Sequence, residues 1–338
     1  MAHFDPAVPV QPIIAGKLRR YHHLTVWQHF TIPSVFWPNF RDIFLVIAGS
    51  VQSFCKLVVW RPDVIFAKGG FVCLPVGVAA KVLGIPLVIH DSDTHPGLTN
   101  RILAKWAVAI ATGAPLDNYP YPSEKSTYIG IPINKEFIPF DTKRRQAAKQ
   151  ALGFDPERPL VVVTGGGLGS RRLNLAVAEG LDALLAQTAV LLVAGADQYD
   201  DLRALTPQTD PRYQLHAFIS TGMAKVLGAA DIVVARAGAT TILELAALAK
   251  PTILVPNSYL TAGHQLKNAA EYAAKGAVVV LDEKELEHDP AVLVAAIKTL
   301  LADPQKARHM SEVFHSLAKP NAAKDMADII LNAAKKAS

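Results

Sequence analysis

The sequence predicts an α/β protein made of two consecutive doubly wound units, each a parallel sheet with helices on both faces. Short apolar, β-rich runs alternate with helical stretches from Pro62 onward, which is the pattern of parallel strands joined by crossover helices. This alternation pauses near residue 140, and a second series then begins. Because the chain has no low-complexity segment and no short repeat that recurs along its length, two domains are the simplest account of its 338 residues.

The first unit opens with an apolar stretch and continues with short strands. After the stretch at residues 43–60, we expect a strand at 63–67 and a helix from Val76 to Leu83. The elements expected next are a strand at 86–90, a helix from Leu98 to Val108, and short strands at 108–111 and 127–129. Loops at the carboxyl ends of these strands are then candidates for ligand binding.

A helix separates the two series. Asp141 and Thr142 supply N-cap oxygens for a helix that runs to Leu152, and Gly153 ends it. Strands are predicted at residues 160–163, 190–193, 232–234 and 252–255, followed by a last helix at about 323–336. We therefore expect an N-terminal domain at residues 1–138, a C-terminal domain at 139–310, and C-terminal helices at 311–338 that pack back on the first domain.

The composition is that of a globular chain with ample material for its cores. Hydrophobic residues make up 51% and charged residues 19% of the chain, which excludes a largely disordered protein. The net charge of +5 suits nucleic acid, anionic lipid or phosphorylated substrates and selects none of them. Cys55 and Cys73 are too few for a disulfide framework, which favours a reducing cytosol. The first residues lack the basic-then-apolar order of a signal peptide.

The apolar stretch from Ile43 to Trp60 has two interpretations. A basic segment precedes it, and all four tryptophans lie in the first third of the chain, which is typical of an interfacial membrane helix. The alternative is a helix buried in the core beside a solvated basic loop. Gln52 and Lys56 interrupt the stretch and disfavour a membrane span. The residues expected at the membrane in the first interpretation are Lys17, Arg19, Arg20, Phe44, Ile47 and Phe54.

Residues 161–170 have the pattern of a strand, a glycine loop and the start of a helix. Glycines permit positive φ and let backbone amides approach an anion, which the N-terminus of a helix also favours. Gly166 and Gly167 are the candidate phosphate contacts. The loop lacks the Gly-Lys-Ser/Thr ending of a Walker motif and a good GxGxxG fingerprint. A tight strand–helix turn without a ligand is therefore an equally good interpretation.

A second strand–turn–helix pattern, at residues 232–244, indicates a ligand site more specifically than the glycine loop does. The strand at 232–235 leads into small residues and then into the opening of a helix. Backbone amides from Gly238 to Thr241 are placed to meet a pyrophosphate. Glu244 lies four residues beyond Thr240 on the same side of that helix, where its carboxylate can accept both hydroxyls of a ribose diol. The alternative is a glutamate that only complements the helix dipole.

Polar loops follow two further strands, at the edge where open α/β sheets bind ligands. One, at residues 257–268, contains His264 and Gln265. The other contains His90, Asp91 and Asp93. The two aspartates are candidates for a general base or for acceptor ligands, and the alternative is that they only cap the next helix. A two-residue spacing on extended chain points alternate side chains apart, so no metal site is expected there.

Together these segments resemble the MurG family, which moves N-acetylglucosamine from UDP onto undecaprenyl-pyrophosphoryl-muramoyl-pentapeptide (lipid I). The resemblance covers nearly the whole chain from about Gly16, and order and spacing agree. The most specific pieces are Lys68-Gly69-Gly70-Phe71-Val72, His90-Asp91-Ser92-Asp93 with Pro96-Gly97-Leu98-Thr99-Asn100-Arg101, Gly165-Gly166-Gly167-Leu168-Gly169, Arg236-Ala237-Gly238-Ala239-Thr240-Thr241 with Glu244, and His264-Gln265.

The resemblance implies a GT-B architecture, in which two Rossmann-like domains face each other across a cleft. It implies an inverting, metal-independent hexosaminyltransferase of peptidoglycan synthesis that needs no cofactor. The implied partners are UDP-N-acetylglucosamine, an undecaprenyl-linked acceptor and an anionic membrane surface, with no nucleic acid. The implied location is peripheral, on the cytoplasmic face of the cell membrane.

The resemblance also assigns roles to individual residues. Ile219 corresponds to the residue whose backbone meets the uracil, Glu244 to the ribose ligand, and Gln265 to a sugar-hydroxyl contact. The other residues implied in donor binding are Asn134, Gly166, Gly167, Arg236, Gly238, Ala239, Thr240, Thr241 and His264. On the acceptor side they are Gly69, Gly70, Phe71 and Asp93. Asp93 is the first candidate for the deprotonating or acceptor-orienting group, and Asp91 is the second.

The chain departs from the family pattern in several places. We find no counterpart of the family's first strand and its Gly-Gly-Thr-Gly-Gly-His loop, so we expect an incomplete first domain, a low expression level and slow transfer. Asp91-Ser92-Asp93 replaces Glu-Gln-Asn, Gly167 replaces a serine at the donor phosphates, and Asn134 replaces an arginine. Donor binding survives these changes better than catalysis.

Three other functions stay open at this point. A glycolipid glycosyltransferase would share the fold, the donor and the membrane patch but use diacylglycerol as its acceptor. A UDP-N-acetylglucosamine 2-epimerase would need neither an acceptor nor a membrane face, and the apolar stretch at residues 43–60 speaks against it. A non-catalytic module that binds UDP-sugar is the third.

Overall fold

The structure is a computed structural model, and it describes residues 8–17, 32–94, 96–167, 169–257 and 264–335, with only the backbone of His264. The chain forms two compact units. The first comprises Met1–Ile129 together with Lys324–Ser338, and the second comprises Gly130–Ala323. This division, after Ile129, falls nine residues before the boundary after residue 138 that we expect from the sequence.

The first unit contains a four-stranded parallel sheet with strand order β1-β2-β3-β4. Its elements up to the last strand are α1 (Pro33–Trp60), β1 (Ile65–Ala67), α2 (Cys73–Leu83), β2 (Leu87–Asp91), α3 (Leu98–Leu103), β3 (Ala109–Thr112) and β4 (Ser126–Tyr128). The helix expected from Leu98 to Val108 ends at Leu103 instead. The amide of Val108 donates to the Leu87 carbonyl at 2.8 Å, so this residue already begins the next strand pairing.

The second unit contains a six-stranded parallel sheet with strand order β10-β9-β8-β5-β6-β7. Its strands are β5 (Leu160–Thr164), β6 (Ala189–Val193), β7 (Tyr213–His216), β8 (Ile232–Ala235), β9 (Thr252–Leu254) and β10 (Val279–Val280). Its helices are α4 (Thr142–Ala151), α5 (Arg171–Glu179), α6 (Leu181–Leu185), α7 (Tyr199–Leu205), α8 (Met223–Ala229), α9 (Ala239–Ala247), α10 (His264–Ala274), α11 (Glu283–His288), α12 (Ala291–Ala302) and α13 (Pro304–Ser316).

Helices cover both faces of the second sheet, and alternation along the strands separates the two cores. Val161 and Val163 of β5 point into one core, with side chains of α5, α6 and α12. Leu160 and Val162 point into the other, with side chains of α4, α8, α9 and α13. The strand order reverses between β5 and β8, so the loops that follow these strands flank the crevice where doubly wound sheets bind ligands.

The last helix, α14 (Ala322–Lys335), belongs largely to the first unit. Met326 and Ala333 pack in one cluster with Val88 of β2 and Ala111 of β3. The opposite face of this sheet carries Leu87, Ile89 and Ile110, which pack with Leu74 of α2 and Leu103 of α3. The end of the chain thus supplies one layer of the unit that contains its beginning.

Helix α1 begins at Pro33, ten residues before the apolar stretch, and ends where Arg61 adopts a left-handed conformation with φ of 42°. A proline suits the first turn of a helix because its missing N–H would have no partner there. A narrow stripe of α1 is buried, including Gly49 and Leu57, whereas most of its apolar side chains are exposed among the described residues. The buried-core interpretation therefore holds only for this stripe. The helix is long and apolar enough to cross a membrane, but helices of other kinds also meet that criterion.

Candidate functional site

The helix α9 begins at the carboxyl end of β8, and no side chain caps its N-terminus. Gly238 is its N-cap residue, with φ −71° and ψ 137°. The first amide with an intrahelical partner is that of Ile242, which donates to the Gly238 carbonyl at 3.0 Å. Thr240 is exposed, and Ala239 and Thr241 are partly exposed. Their amides and the helix dipole together favour a phosphate group.

Two buried side chains hold the turn that precedes α9. Arg236 donates to the Val255 carbonyl at 3.1 Å and forms an ion pair with Glu283, which is buried. Asn268 of α10 donates to the Ala237 carbonyl at 3.1 Å. Arg236 thus fixes the shape of the turn through its neighbours in the protein. Its role as a direct donor ligand stays a prediction.

Glu244 lies in the second turn of α9 and is partly buried. Burial alone raises the pKa of its carboxyl group to about 7. Among the described residues, its carboxylate has no hydrogen-bond or ion-pair partner. A buried carboxylate without a partner is costly unless a ligand completes it, so the environment of Glu244 is that of a binding residue. Ribose hydroxyls, which donate hydrogen bonds, are ligands of the required kind.

The glycine loop after β5 largely satisfies its own polar groups. The Gly166 amide donates to the Thr164 hydroxyl at 3.2 Å, and the Gly169 amide donates to the Gly166 carbonyl at 3.1 Å. Ser170 caps α5 by accepting from the Leu173 amide at 3.4 Å. A Cβ atom on Gly167 would meet no described heavy atom within 4 Å, so this position faces open space. The loop has the geometry of a tight turn, with Gly166 and Gly167 at its open side.

The remaining predicted donor residues are spread over several loops. Ile219 is partly buried against the core beneath α9, and Gln265 accepts from the Asn257 amide at 2.9 Å through its side-chain oxygen. Asn134 is exposed and accepts from the Glu136 amide at 3.0 Å, so it stabilises a turn. The side chain of His264 lies outside the described residues. Their contacts with a donor stay predictions.

A cavity of about 530 Å³ lies at the carboxyl edge of this sheet. Gly169, Ser170, Arg172, Arg236, Asn257 and Glu283 belong to its lining. Its size is within the usual range of about 300–1,000 Å³ for small-molecule sites. Glu244 and the first turn of α9 are outside this lining. The cavity therefore does not contain the residues predicted to bind the ribose and the pyrophosphate.

The carboxyl edge of the first sheet carries the acidic residues. Asp91 ends β2 and is buried, and its Oδ2 accepts from the Tyr121 hydroxyl at 2.7 Å. Burial raises the pKa of Asp91 to about 6, while hydrogen bonds from Tyr121 and Asn100 act in the opposite direction. Asn100 also donates to the His90 carbonyl at 3.1 Å. Asp91 therefore titrates close to the pH at which a general base is most useful.

Asp93 is exposed, and its backbone carbonyl accepts from the Tyr119 hydroxyl at 2.6 Å. Gly69 and Gly70 follow β1 with φ values of 91° and 84°, which glycine adopts without strain. A Cβ atom on Gly69 would lie 3.1 Å from the Asn100 amide nitrogen. The structure thus brings Gly69 close to Asn100, the residue that donates to the His90 carbonyl. Phe71 is exposed beside this loop.

The predicted membrane residues that can be described are exposed. On α1, Phe44, Ile47 and Phe54 are 57%, 55% and 38% exposed, so the fold leaves much of their apolar surface uncovered. Lys17 is also exposed. Arg19 and Arg20 lie outside the described residues. Within the described ranges, no group of three or more His, Cys, Asp or Glu side chains could hold a metal ion.

Sequence reasoning missed three residues of these sites. Asn268 donates to the turn before α9, Asn100 donates to the His90 carbonyl near the end of β2, and Tyr121 donates to the Asp91 carboxylate. Asn100 and Asn268 are buried amides, and an amide inside an apolar helix is a signal that sequence alone offers. Tyr121 lies in a Tyr-Pro-Tyr-Pro repeat, which is a second such signal.

Comparison with known proteins identifies the family. The N-terminal domain of glycosyltransferase family 28 matches residues 8–112, and the family 28 C-terminal domain matches residues 160–328. The UDP-N-acetylglucosamine–N-acetylmuramyl-(pentapeptide) pyrophosphoryl-undecaprenol N-acetylglucosamine transferase of Geobacillus kaustophilus is 35% identical over 87% of this chain and 76% of its own length. Transferase 2 of the same description from Bacillus anthracis is 29% identical over 96% of this chain and 84% of its own.

Solved structures agree on the fold. MurG of Acinetobacter baumannii superposes with a TM-score of 0.69 at 24% identity, covering 86% of this chain and 79% of that one. A UDP-GlcNAc 2-epimerase of Neisseria meningitidis has a TM-score of 0.62 at 12% identity over 85% of this chain and 81% of that one. Both sheets and both family domains fit a GT-B fold. The chain therefore belongs to glycosyltransferase family 28 and, within it, to the MurG family.

Proposed function

We propose that the chain transfers N-acetylglucosamine from UDP-N-acetylglucosamine to a muramoyl-pentapeptide carried on undecaprenyl pyrophosphate, converting lipid I to lipid II. The observation that carries the proposal is the match of both family domains combined with the geometry of α9. An uncapped helix terminus suits a pyrophosphate, and the unpartnered carboxylate of Glu244 suits a ribose diol. The proposed reaction is inverting and metal-independent.

On the donor side, UDP is the leaving group. The bond between the anomeric carbon and the β-phosphate oxygen breaks as the acceptor hydroxyl attacks from the opposite face. Negative charge develops on the β-phosphate, and the amides of residues 239–241 are oriented to stabilise it. In this scheme the sugar is oriented by Gln265, the uracil by Ile219, and the phosphates by Gly166 and Gly167. Asn134 and His264 border this donor site.

On the acceptor side, the hydroxyl proton goes to a carboxylate. Asp91 suits a proton acceptor because the pKa of its carboxyl group is raised to about 6. Exposed Asp93 suits an orienting role, two residues farther along the same loop. This assignment reverses the order that sequence alone favoured. Gly69, Gly70 and Phe71 lie at the adjacent strand end, where we place the acceptor pyrophosphate.

We also propose that the chain works at the cytoplasmic face of a membrane with anionic lipids, without crossing it. An undecaprenyl-linked acceptor is confined to a bilayer, and α1 presents exposed aromatic and aliphatic side chains. Phe36, Phe40 and Phe44 contact one another along this helix, with ring centroids 5.7 and 5.0 Å apart. Lys17 and the basic residues that follow it would contribute about 1 kcal/mol each at an anionic surface.

The test uses UDP-N-acetylglucosamine and a lipid I analogue in the presence of EDTA. We expect release of UDP together with a disaccharide product, at a rate that EDTA leaves unchanged. Diacylglycerol in place of lipid I tests the glycolipid alternative, and UDP-N-acetylmannosamine formed without any acceptor would indicate an epimerase. Product with diacylglycerol alone, or epimerised donor alone, would overturn the proposal.

The proton acceptor is tested by exchanging single carboxylates for amides. We expect Asp91→Asn to lower kcat by about 10²–10⁴-fold, the usual cost of losing a positioned base. Asp93→Asn is the matched control and should raise KM for the acceptor more than it lowers kcat. Both variants should keep the wild-type affinity for UDP, since the donor residues belong to the other unit. A larger kcat loss in Asp93→Asn would restore Asp93 as the base.

A further inference from the structure

The loop after β3 carries two tyrosines in a Tyr119-Pro120-Tyr121-Pro122 repeat. A residue that precedes proline is restricted to extended backbone, and Tyr119 has φ −125° and ψ 141°. Alternate residues of extended chain lie on the same side. The two rings accordingly stack, with centroids 5.6 Å apart and planes 9° from parallel. The repeat thus fixes the two rings as one unit, which we call the tyrosine pair.

The tyrosine pair holds the acidic loop after β2 at two points. Tyr121 donates to Oδ2 of Asp91 at 2.7 Å. Tyr119 donates to the backbone carbonyl of Asp93 at 2.6 Å and accepts from the Ala114 amide at 3.2 Å. The hydroxyl of Tyr121 therefore contacts a titratable side chain, whereas the two hydrogen bonds described for the Tyr119 hydroxyl are to backbone groups. This difference allows the two roles to be separated by experiment.

We propose that Tyr121 is a positioning residue for sugar transfer, whose hydroxyl holds the Asp91 carboxylate in one orientation and favours its ionised form. The inference rests on the proposed function, because Asp91 is there the group that takes the acceptor proton. It adds a residue that acts through Asp91 and that the comparisons with relatives do not assign.

The surroundings of Asp91 make this hydrogen bond consequential. Burial disfavours the charged carboxylate, and the nearby charge of Asp93 disfavours it further. The hydrogen bonds from Tyr121 and Asn100 oppose these effects. Arg101 of α3 and the other ring of the pair act electrostatically on Tyr121 itself. Without the Tyr121 hydroxyl, the pKa of Asp91 should rise, because the charged form loses a donor while its burial remains.

The experiment compares Tyr121→Phe with Tyr119→Phe in the full chain. We expect Tyr121→Phe to move the acidic limb of the kcat/KM profile upward by about one pH unit, the scale of one hydrogen bond to a charged group. A ¹³C NMR titration of aspartate carboxyl groups, with Asp91→Asn to assign the signal, should show the same shift. Tyr119→Phe should leave the Asp91 titration within about 0.3 pH units, because the hydrogen bonds described for its hydroxyl are to the Asp93 carbonyl and the Ala114 amide and not to the Asp91 carboxylate.

The NMR titration separates this inference from the proposed function. If wild type transfers no sugar to lipid I, the proposed function fails, while the titration still tests the contact between Tyr121 and Asp91. An unchanged carboxyl pKa in Tyr121→Phe would overturn the inference, as would an equal shift in Tyr119→Phe. Thermal unfolding of both variants within a few degrees of wild type ensures that the comparison concerns folded protein.

Discussion

At the scale of single residues, Glu244 has the clearest physical signature. Since its carboxyl pKa is raised to about 7 and ribose hydroxyls favour the ionised form, UDP binding should be linked to proton release. We expect wild-type affinity for UDP to fall as the pH drops below about 7, by up to tenfold per pH unit, and to level off above that pH. Titration calorimetry at several pH values measures this dependence.

The control for this prediction removes the titrating group. Glu244→Gln should weaken UDP binding and flatten the additional pH dependence, leaving only that of the phosphates. Glu244→Ala should cost about 1.5–3 kcal/mol at pH 8, the scale of a hydrogen bond to a charged group. Equal UDP affinities of wild type and Glu244→Ala would remove this residue from the site.

Two glycines of the loop after β5 should respond differently to the same substitution. Gly167 faces open space, so Gly167→Ser should add a hydroxyl donor near the phosphates and tighten UDP binding by about 0.5–1.5 kcal/mol. Gly169 has φ of 74°, and a Cβ atom there would collide with the Ala194 carbonyl oxygen. Gly169→Ser should therefore lower the free energy of unfolding by more than about 1 kcal/mol. Calorimetry with UDP and thermal unfolding distinguish these outcomes, and equal behaviour of both variants would contradict the role of Gly167.

Some residues of the site could be predicted from the sequence because they are close together along the chain, and others could not. The spacing from Gly238 to Glu244 is local, so the first two turns of one helix hold both the amides and the carboxylate. The family resemblance predicts that Arg236 contacts the donor, but its ion pair with Glu283 could not be predicted, because the two residues lie 47 positions apart in sequence. The hydrogen bond from Tyr121 to Asp91 spans 30 residues and joins a loop to the end of β2. Such contacts depend on which strands are neighbours, and the loops themselves do not encode that.

At the scale of elements, α1 should carry the contact with membranes. The double variant Phe44→Ser with Ile47→Ser removes two exposed apolar side chains and should weaken binding to anionic vesicles at least about tenfold. Val82→Ser is a matched control, because Val82 is 69% exposed on α2. Cosedimentation at low and high salt measures the effect, and binding should also weaken with salt. If the vesicle binding of both variants did not depend on lipid charge, this result would argue against α1 as the membrane-binding surface.

Elements were predictable where apolar runs are long and uninterrupted. The runs at 160–163, 190–193 and 232–234 each became a fully buried strand. Strand β7, Tyr213–His216, has only its first residue buried, and β10 has two residues, so neither has a pattern that sequence could show. Helix α1 was recognised only from residue 43, because Pro33 and Pro38 precede the apolar stretch within it. The edge strands β7 and β10 are thus defined by their pairing with neighbouring strands rather than by a pattern in their own sequence.

At the scale of the whole molecule, the two units differ in how their sheets are completed. Among the described residues, those that form the layers of the second sheet and its two cores all lie between positions 130 and 323. The first sheet takes one covering helix, α14, from the far end of the chain. Donor binding and its scaffold are therefore contiguous in sequence, whereas the acidic edge depends on both ends of the chain.

This difference predicts how fragments behave. A fragment of residues 130–323 should unfold cooperatively and bind UDP with an affinity within about threefold of the full chain, since it keeps both cores and every donor residue. A chain that ends at residue 323 should keep UDP binding but expose the apolar face of the first sheet around Val88 and Ala111, and so bind a hydrophobic dye and aggregate. Calorimetry with UDP and dye fluorescence on both fragments test the two halves of the prediction. If the 130–323 fragment proves unfolded, or if loss of residues 324–338 leaves dye binding unchanged, the donor unit is not autonomous or α14 is not a structural layer of the first unit.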